Sequence, residues 1–250
     1  MSRENCILNF ACVLSDLAYQ DDVSGLRKID GVGDAQIQCT TIQNPQIGSS
    51  CLLASFEIQA VPYLVAAFRG TDAFQDWGYN VSFWKASVAA ADDRRFFVPR
   101  VHGGFLAQYR SLKIALQEQI TQYHHGVNLI ITGHSLGGAL ACVCAHDILS
   151  NSARPSDKIR LVTFGCPRPG NYVFKCDLED KIKCHRVVLG NDCVTYTPIL
   201  NAFHVGEHHA IGEWSKLPNV ADHSIQSYKA ALCQQNSNPE QQVLSDHETS

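Results

Sequence analysis

The sequence predicts an α/β protein: one domain with a mainly parallel central sheet and helices on both faces. Three observations carry this. The chain of 250 residues is long enough for one large core, burying roughly three quarters of the surface its unfolded form exposes. Short apolar segments of strand length alternate with longer segments whose apolar residues recur every three or four positions. No Pro-, Gly- or Ser-rich linker divides residues 1–233, which therefore read as a single domain.

Taken in chain order, Ile7, Phe10, Leu14, Leu17 and Ala18 share one face of an N-terminal helix. Arg3 and the apolar stretch 6–14 resemble a secretory leader only superficially, because Glu4 offsets the charge of Arg3, Asn9 interrupts the apolar run and no small-x-small cleavage site follows. Strands are expected at 35–41, 52–60 and 63–69, broken at Asn44-Pro45 and Val61-Pro62. The run Leu64-Val65-Ala66-Ala67-Phe68 is wholly apolar, as suits a strand covered on both faces. Residues 104–124 place Phe105, Tyr109, Leu112, Leu116, Ile120 and Tyr123 on one helix face. A buried strand at 127–132 leads into a helix from 136 to 149. A strand at 159–164, helical material at 171–178 and a strand at 186–189 follow. The last helix opens after residue 223 with Ile225, Tyr228, Ala231 and Leu232. From Gln234 onward the polar tail 234–250 carries too little apolar surface to pack and is expected to be disordered.

Charge narrows the partners. Twenty Lys and Arg against 24 Asp and Glu give a net charge of −4 with no basic face, so nucleic acid is not expected. The longest apolar runs, such as 139–145, fall well short of the roughly 18 to 20 residues that cross a bilayer, so no transmembrane segment is expected. Eleven cysteines at irregular spacing include no C-x2-C pair. They read as reduced thiols of an intracellular protein, with some disulfides in a secreted one as the alternative. No cofactor and no metal is expected. Oligomeric state is not encoded in any feature of the chain.

The chemistry centres on Gly133-His134-Ser135-Leu136-Gly137, which fits G-x-S-x-G between a buried strand and a helix. That turn lifts a serine hydroxyl clear of the sheet. A serine needs a base to attack a carbonyl at neutral pH, and the base needs a carboxylate to fix its tautomer. In the α/β-hydrolase arrangement these follow in the order Ser, acid, His. Asp192 stands directly after the 186–189 strand, where the acid belongs. Asp147 lies inside the helix after the serine, Asp157 precedes a strand, and Asp177 and Asp180 belong to a charged surface segment. Among His204, His208, His209, His223 and His247, His223 is the choice because it stands in a loop at the mouth of the last helix; Asp222 beside it reads as a helix N-cap. His204-Val205-Gly206-Glu207-His208 spells the H-x-x-E-H of a zinc peptidase, but Gly206 and the absence of helical period argue for a strand with surface histidines. The oxyanion hole is expected from the backbone N–H of Leu136 and from Thr71, after the 63–69 strand.

Several motifs in order resemble the class 3 lipases, the family of the filamentous-fungal triacylglycerol lipases: Ala67-Phe68-Arg69-Gly70-Thr71, Asp76-Trp77, Val101-His102-Gly103-Gly104-Phe105, Gly133-His134-Ser135-Leu136-Gly137-Gly138, the stretch from Thr163 to Asn171, Gly190-Asn191-Asp192, His204-Val205-Gly206 and Asp222-His223. The resemblance covers about residues 5–233. It implies an α/β-hydrolase fold, the triad Ser135, Asp192 and His223, and an oxyanion hole of Thr71 and Leu136. It makes His204-Val205-Gly206 a strand motif. Cys166 departs from it, standing where a Gln is usual. It also implies a lid over about residues 72–85, where Phe74, Trp77, Val81 and Trp84 form an apolar face, with core packing as the alternative. The implied activity is triacylglycerol hydrolysis on lipid esters, at a lipid–water interface if the lid opens. A short-chain or aryl (feruloyl-type) esterase and a non-catalytic lipase-like binding protein are the alternatives.

Overall fold

The computed structural model describes residues 3–20, 38–58, 60–71, 85–87, 98–198 and 201–237. Seven strands form one sheet in the order β1 (Gln38–Asn44), β2 (Ser49–Ile58), β3 (Val61–Phe68), β6 (Asn128–His134), β7 (Ile159–Phe164), β8 (Lys183–Leu189) and β9 (Glu207–Ile211). The first two junctions are antiparallel hairpins; the four from β3 to β9 are parallel. A separate two-stranded ribbon pairs β4 (Lys85–Ser87) with β5 (Arg100–His102).

Side-chain alternation sorts the core into two layers. Leu64, Ala66 and Phe68 of β3, with Leu129 and Ile131 of β6, face α2 (Gly103–Thr121), α3 (Leu136–Asn151) and α4 (Tyr172–Glu179). Tyr63, Val65 and Ala67, with Ile130, face α1 (Arg3–Leu17) and α5 (Ile225–Ser237). Both layers are filled, so β3 and β6 are apolar on both faces, as the parallel reading requires.

On α1 the expected residues Ile7, Phe10, Leu14 and Leu17 are buried, and Phe10 stacks on Phe56 at 5.3 Å between centroids. Each such side chain contributes about 1.5–3 kcal/mol by leaving water. The helix is also tied by polar contacts: Ser15 Oγ to Thr132 Oγ1 at 3.1 Å, and buried Asp16 accepting from Lys229 Nζ at 3.0 Å and Gln226 Nε2 at 3.1 Å on α5.

Three expectations are corrected here. Val61-Pro62 does not break the sheet but starts β3, because Pro62 lies ahead of the β6 pairing, which begins at Tyr63, so its missing N–H costs no bond on that side. The last helix continues to Ser237, past the expected start of the tail. His204-Val205-Gly206 is not strand but the connection into β9. Val205 is buried, His204 is half-buried, and Gly206 has φ +99 with its N–H donated to Glu179 Oε1 at 2.7 Å.

Candidate active site

β6 delivers the chain to Ser135 in one sharp turn. Ser135 has φ 58 and ψ −129, a backbone region that non-glycine residues rarely occupy, and α3 starts at the next residue. The turn holds because the flanking glycines let backbones touch. A Cβ on Gly133 would stand 2.3 Å from the Gly137 carbonyl carbon, and one on Gly137 would stand 2.1 Å from the Phe68 oxygen. Ser135 N–H donates to the Phe164 carbonyl at 2.9 Å, which fixes the turn to β7.

Beyond the C-terminal ends of the strands, three side chains meet. His223 Nε2 lies 2.8 Å from Ser135 Oγ, and His223 Nδ1 lies 2.8 Å from Asp192 Oδ2 and 3.0 Å from Oδ1. Asp192 is completely buried and Ser135 and His223 nearly so. An acceptor-only carboxylate beside Nδ1 places the proton there, leaving the Nε2 lone pair to accept the serine hydroxyl. Asp192 follows β8 and His223 ends a short 3-10 turn (Ala221–His223) before α5.

The acid is held by groups that sequence reasoning missed. Tyr228, read only as an apolar position of the last helix, donates its hydroxyl to Asp192 Oδ2 at 2.7 Å, while Val194 N–H donates to Oδ1 at 2.9 Å. Burial and the neighbouring Asp192 charge push the Tyr228 phenol well above its ordinary range, so it remains a donor. The base is held through its backbone: His134 Nε2 lies 2.7 Å from the His223 carbonyl oxygen, and Tyr19 Oη lies 2.9 Å from His134 Nδ1. Burial, followed by the proximity of His223, lowers the His134 pKa to about 3, so the ring is neutral. Its one proton faces the carbonyl and its lone pair accepts from Tyr19.

Asp222 is not the helix cap that local spacing suggests. Its Oδ2 accepts from Asn191 N–H at 2.9 Å and Asn219 Nδ2 at 2.8 Å, lashing the acid loop to the histidine loop. The other carboxylates have separate duties. Asp147 accepts from Tyr109 Oη, Lys113 Nζ and Gln117 Nε2 at 2.6–2.7 Å, joining α3 to α2, and Asp177 pairs with His146 at 2.8 Å and with Lys181. His208 is exposed, and His247 lies outside the described residues.

Leu136 is the first residue of α3, so its N–H has no acceptor within the helix and sits at the positive end of the helix dipole. Beside Gly70 stand the Tyr19 hydroxyl and the His134 carbonyl, which puts the loop carrying half-buried Thr71 alongside the serine turn. The expected lid residues Phe74, Trp77, Val81 and Trp84 lie outside the described residues.

A family model described as "Lipase (class 3)" matches residues 65–202, more than half of the chain. The chain belongs to the class 3 lipase family. Among its relatives, a lipase of Rhizopus niveus is 35% identical over 150 residues, covering 56% of this chain and 35% of that protein. Phospholipase A1-II 1 of Oryza sativa subsp. indica is 35% identical over 134 residues, covering 45% of this chain and 33% of that one. The chain therefore spans about a third of the length of the curated relatives it matches. Among solved structures, the Rhizomucor miehei triacylglyceride lipase superposes with a TM-score of 0.72 at 22% identity, covering 89% of this chain and 94% of that one. This likeness carries the α/β-hydrolase fold of the lipase family.

Proposed function

We propose that this class 3 lipase-family protein is a serine carboxylic-ester hydrolase that cleaves lipid acyl esters of the triacylglycerol kind through an acyl-enzyme on Ser135. The observation that carries the reading is the continuous hydrogen-bonded line from Ser135 Oγ through His223 to Asp192. In the first step Ser135 Oγ attacks the ester carbonyl while His223 Nε2 takes its proton. Asp192 stabilises the imidazolium, and Leu136 N–H with Thr71 receives the charge developing on the carbonyl oxygen. His223 then protonates the departing alcohol. Water, activated by the same nitrogen, releases the acid and restores Ser135.

One relative is called a lipase and another a phospholipase A1. The acyl preference is read from rates over a series of ester chain lengths, with and without an emulsion interface. Rates that peak on short or aryl esters and ignore the interface would replace the lipase reading by an esterase one. Ser135→Ala is expected to lower turnover of a p-nitrophenyl ester by roughly four orders of magnitude. Retained turnover in the folded variant removes the mechanism.

We also propose a reducing compartment, on the ground that Cys12, Cys51, Cys142, Cys144, Cys166 and Cys184 are buried as thiols. Titration of the protein isolated without reductant should give eleven thiols; pairs of missing thiols would argue for secretion.

A further inference from the structure

At the opposite end of the parallel strands, a second cluster of histidines has no part in the chemistry above. Glu207 and His209 are alternate residues of β9 and share one face. His185 of β8 pairs in register with Glu207 and points to the same side. His185 Nδ1 lies 2.9 Å from His209 Nε2, and Glu207 Oε2 lies 3.8 Å from that same His209 nitrogen. One ligand atom from each of the three residues falls within 4.8 Å of the others.

We propose that His185, His209 and Glu207 form a binding site for a divalent transition-metal ion of the zinc type. The convergence of two imidazole nitrogens and a carboxylate oxygen within 4.8 Å of one another carries the assignment. His185 Nε2 stands 3.0 Å from Glu4 Oε1 on α1, an ion-pair contact rather than an aligned hydrogen bond, and the negative charge there favours the ring proton on that nitrogen. Nδ1 is then a lone pair aimed at His209 Nε2, next to the Glu207 carboxylate. A cation at this point satisfies the lone pairs of both imidazoles and the carboxylate together. The carboxylate–histidine–metal order, with Glu4 behind His185, is the arrangement that orients metal-bound imidazoles in proteins.

Imidazole and carboxylate donors suit zinc. With bonds of about 2.0–2.1 Å, a tetrahedral ion needs the two nitrogens about 3.3 Å apart, a few tenths of an ångström beyond their present separation. The three groups border an open cleft of about 660 Å³, also lined by Glu4, Glu179, Lys175 and Lys183, which leaves the fourth position to water. The bound ion would fasten the edge strand β9 to β8 and, through Glu4, to α1. It would act on stability, remote from Ser135.

The test is titration of the chelator-stripped protein with zinc alone against a chromophoric competitor, paired with the cobalt(II) spectrum. One equivalent is expected, with d–d bands and no thiolate charge-transfer band. Zinc should raise Tm in the unmodified protein and not in His209→Gln, which loses that equivalent. Glu4→Gln should weaken binding by about 10- to 100-fold while keeping the equivalent. No uptake, uptake unchanged in His209→Gln, or a thiolate band in the cobalt form overturns the assignment.

Discussion

Two pairs of histidines lie with tilted rings on the same face of the sheet, at opposite ends of its strands, and they are built differently. His134 and His223 have ring centroids 4.6 Å apart, and their four nitrogens face four different partners: Tyr19 Oη, the His223 carbonyl, Asp192 and Ser135 Oγ. His185 and His209 have centroids 5.0 Å apart, yet a nitrogen of one faces a nitrogen of the other at 2.9 Å. Where every nitrogen has its own oxygen, each tautomer is fixed and a proton can pass along a defined line from serine to histidine. Where two ring nitrogens share a proton beside a carboxylate, a metal cation can take that proton's place. The residue type is the same; what each nitrogen faces decides the chemistry.

The contrast can be broken most severely at the acid. Asp192→Asn should keep the fold and lower kcat about 10⁴-fold, because the amide no longer dictates the His223 tautomer; steady-state hydrolysis of a soluble ester measures it. Gly137→Ala strikes the backbone instead. Its methyl meets the Phe68 carbonyl, and a loss of more than about 4 kcal/mol, seen as insoluble or unfolded protein, is expected from chemical denaturation. Tyr228→Phe removes a donor to a fully buried carboxylate. It should cost about 1–3 kcal/mol of stability in the same denaturation experiment.

A further contrast concerns pH. His134 and His204 are both held near a pKa of about 3, burial being the leading cause in each. Unfolded, they take up protons from about pH 6.5 downward. Between about pH 6.5 and 3 the unfolded state therefore binds more protons, and stability falls as pH drops through that window. Urea midpoints should decline below pH 6.5, with a shallower slope in His134→Gln; an unchanged slope would remove His134 as a source.

Much of this was legible in the chain because its signals are local. The strand Asn128–His134, the glycine-flanked Ser135 and the helix behind it lie within two dozen residues, and the two-sided apolar pattern of β3 declares a covered strand. Asp192 was marked by its place after β8, and His223 by its place before α5. Contacts across the fold were not legible. Tyr19 reaches His134 over 115 positions and Tyr228 reaches Asp192 over 36, and nothing in their local patterns distinguishes them from core aromatics. Asp222 looked like a cap because a short-range reading cannot see Asn191 arriving from the neighbouring loop. The H-x-x-E-H spacing drew attention to His204 and His208, whereas strand alternation pairs Glu207 with His209, and the partner His185 comes from β8 through sheet register alone.

The central claim is that Ser135 is the nucleophile and that its activation depends on His223. Labelling the folded protein with a fluorophosphonate ester and mapping the adduct by mass spectrometry tests it directly. The account predicts one adduct per chain, on Ser135, abolished or greatly slowed in His223→Gln. An adduct on another residue, or none on well-folded protein, would contradict it.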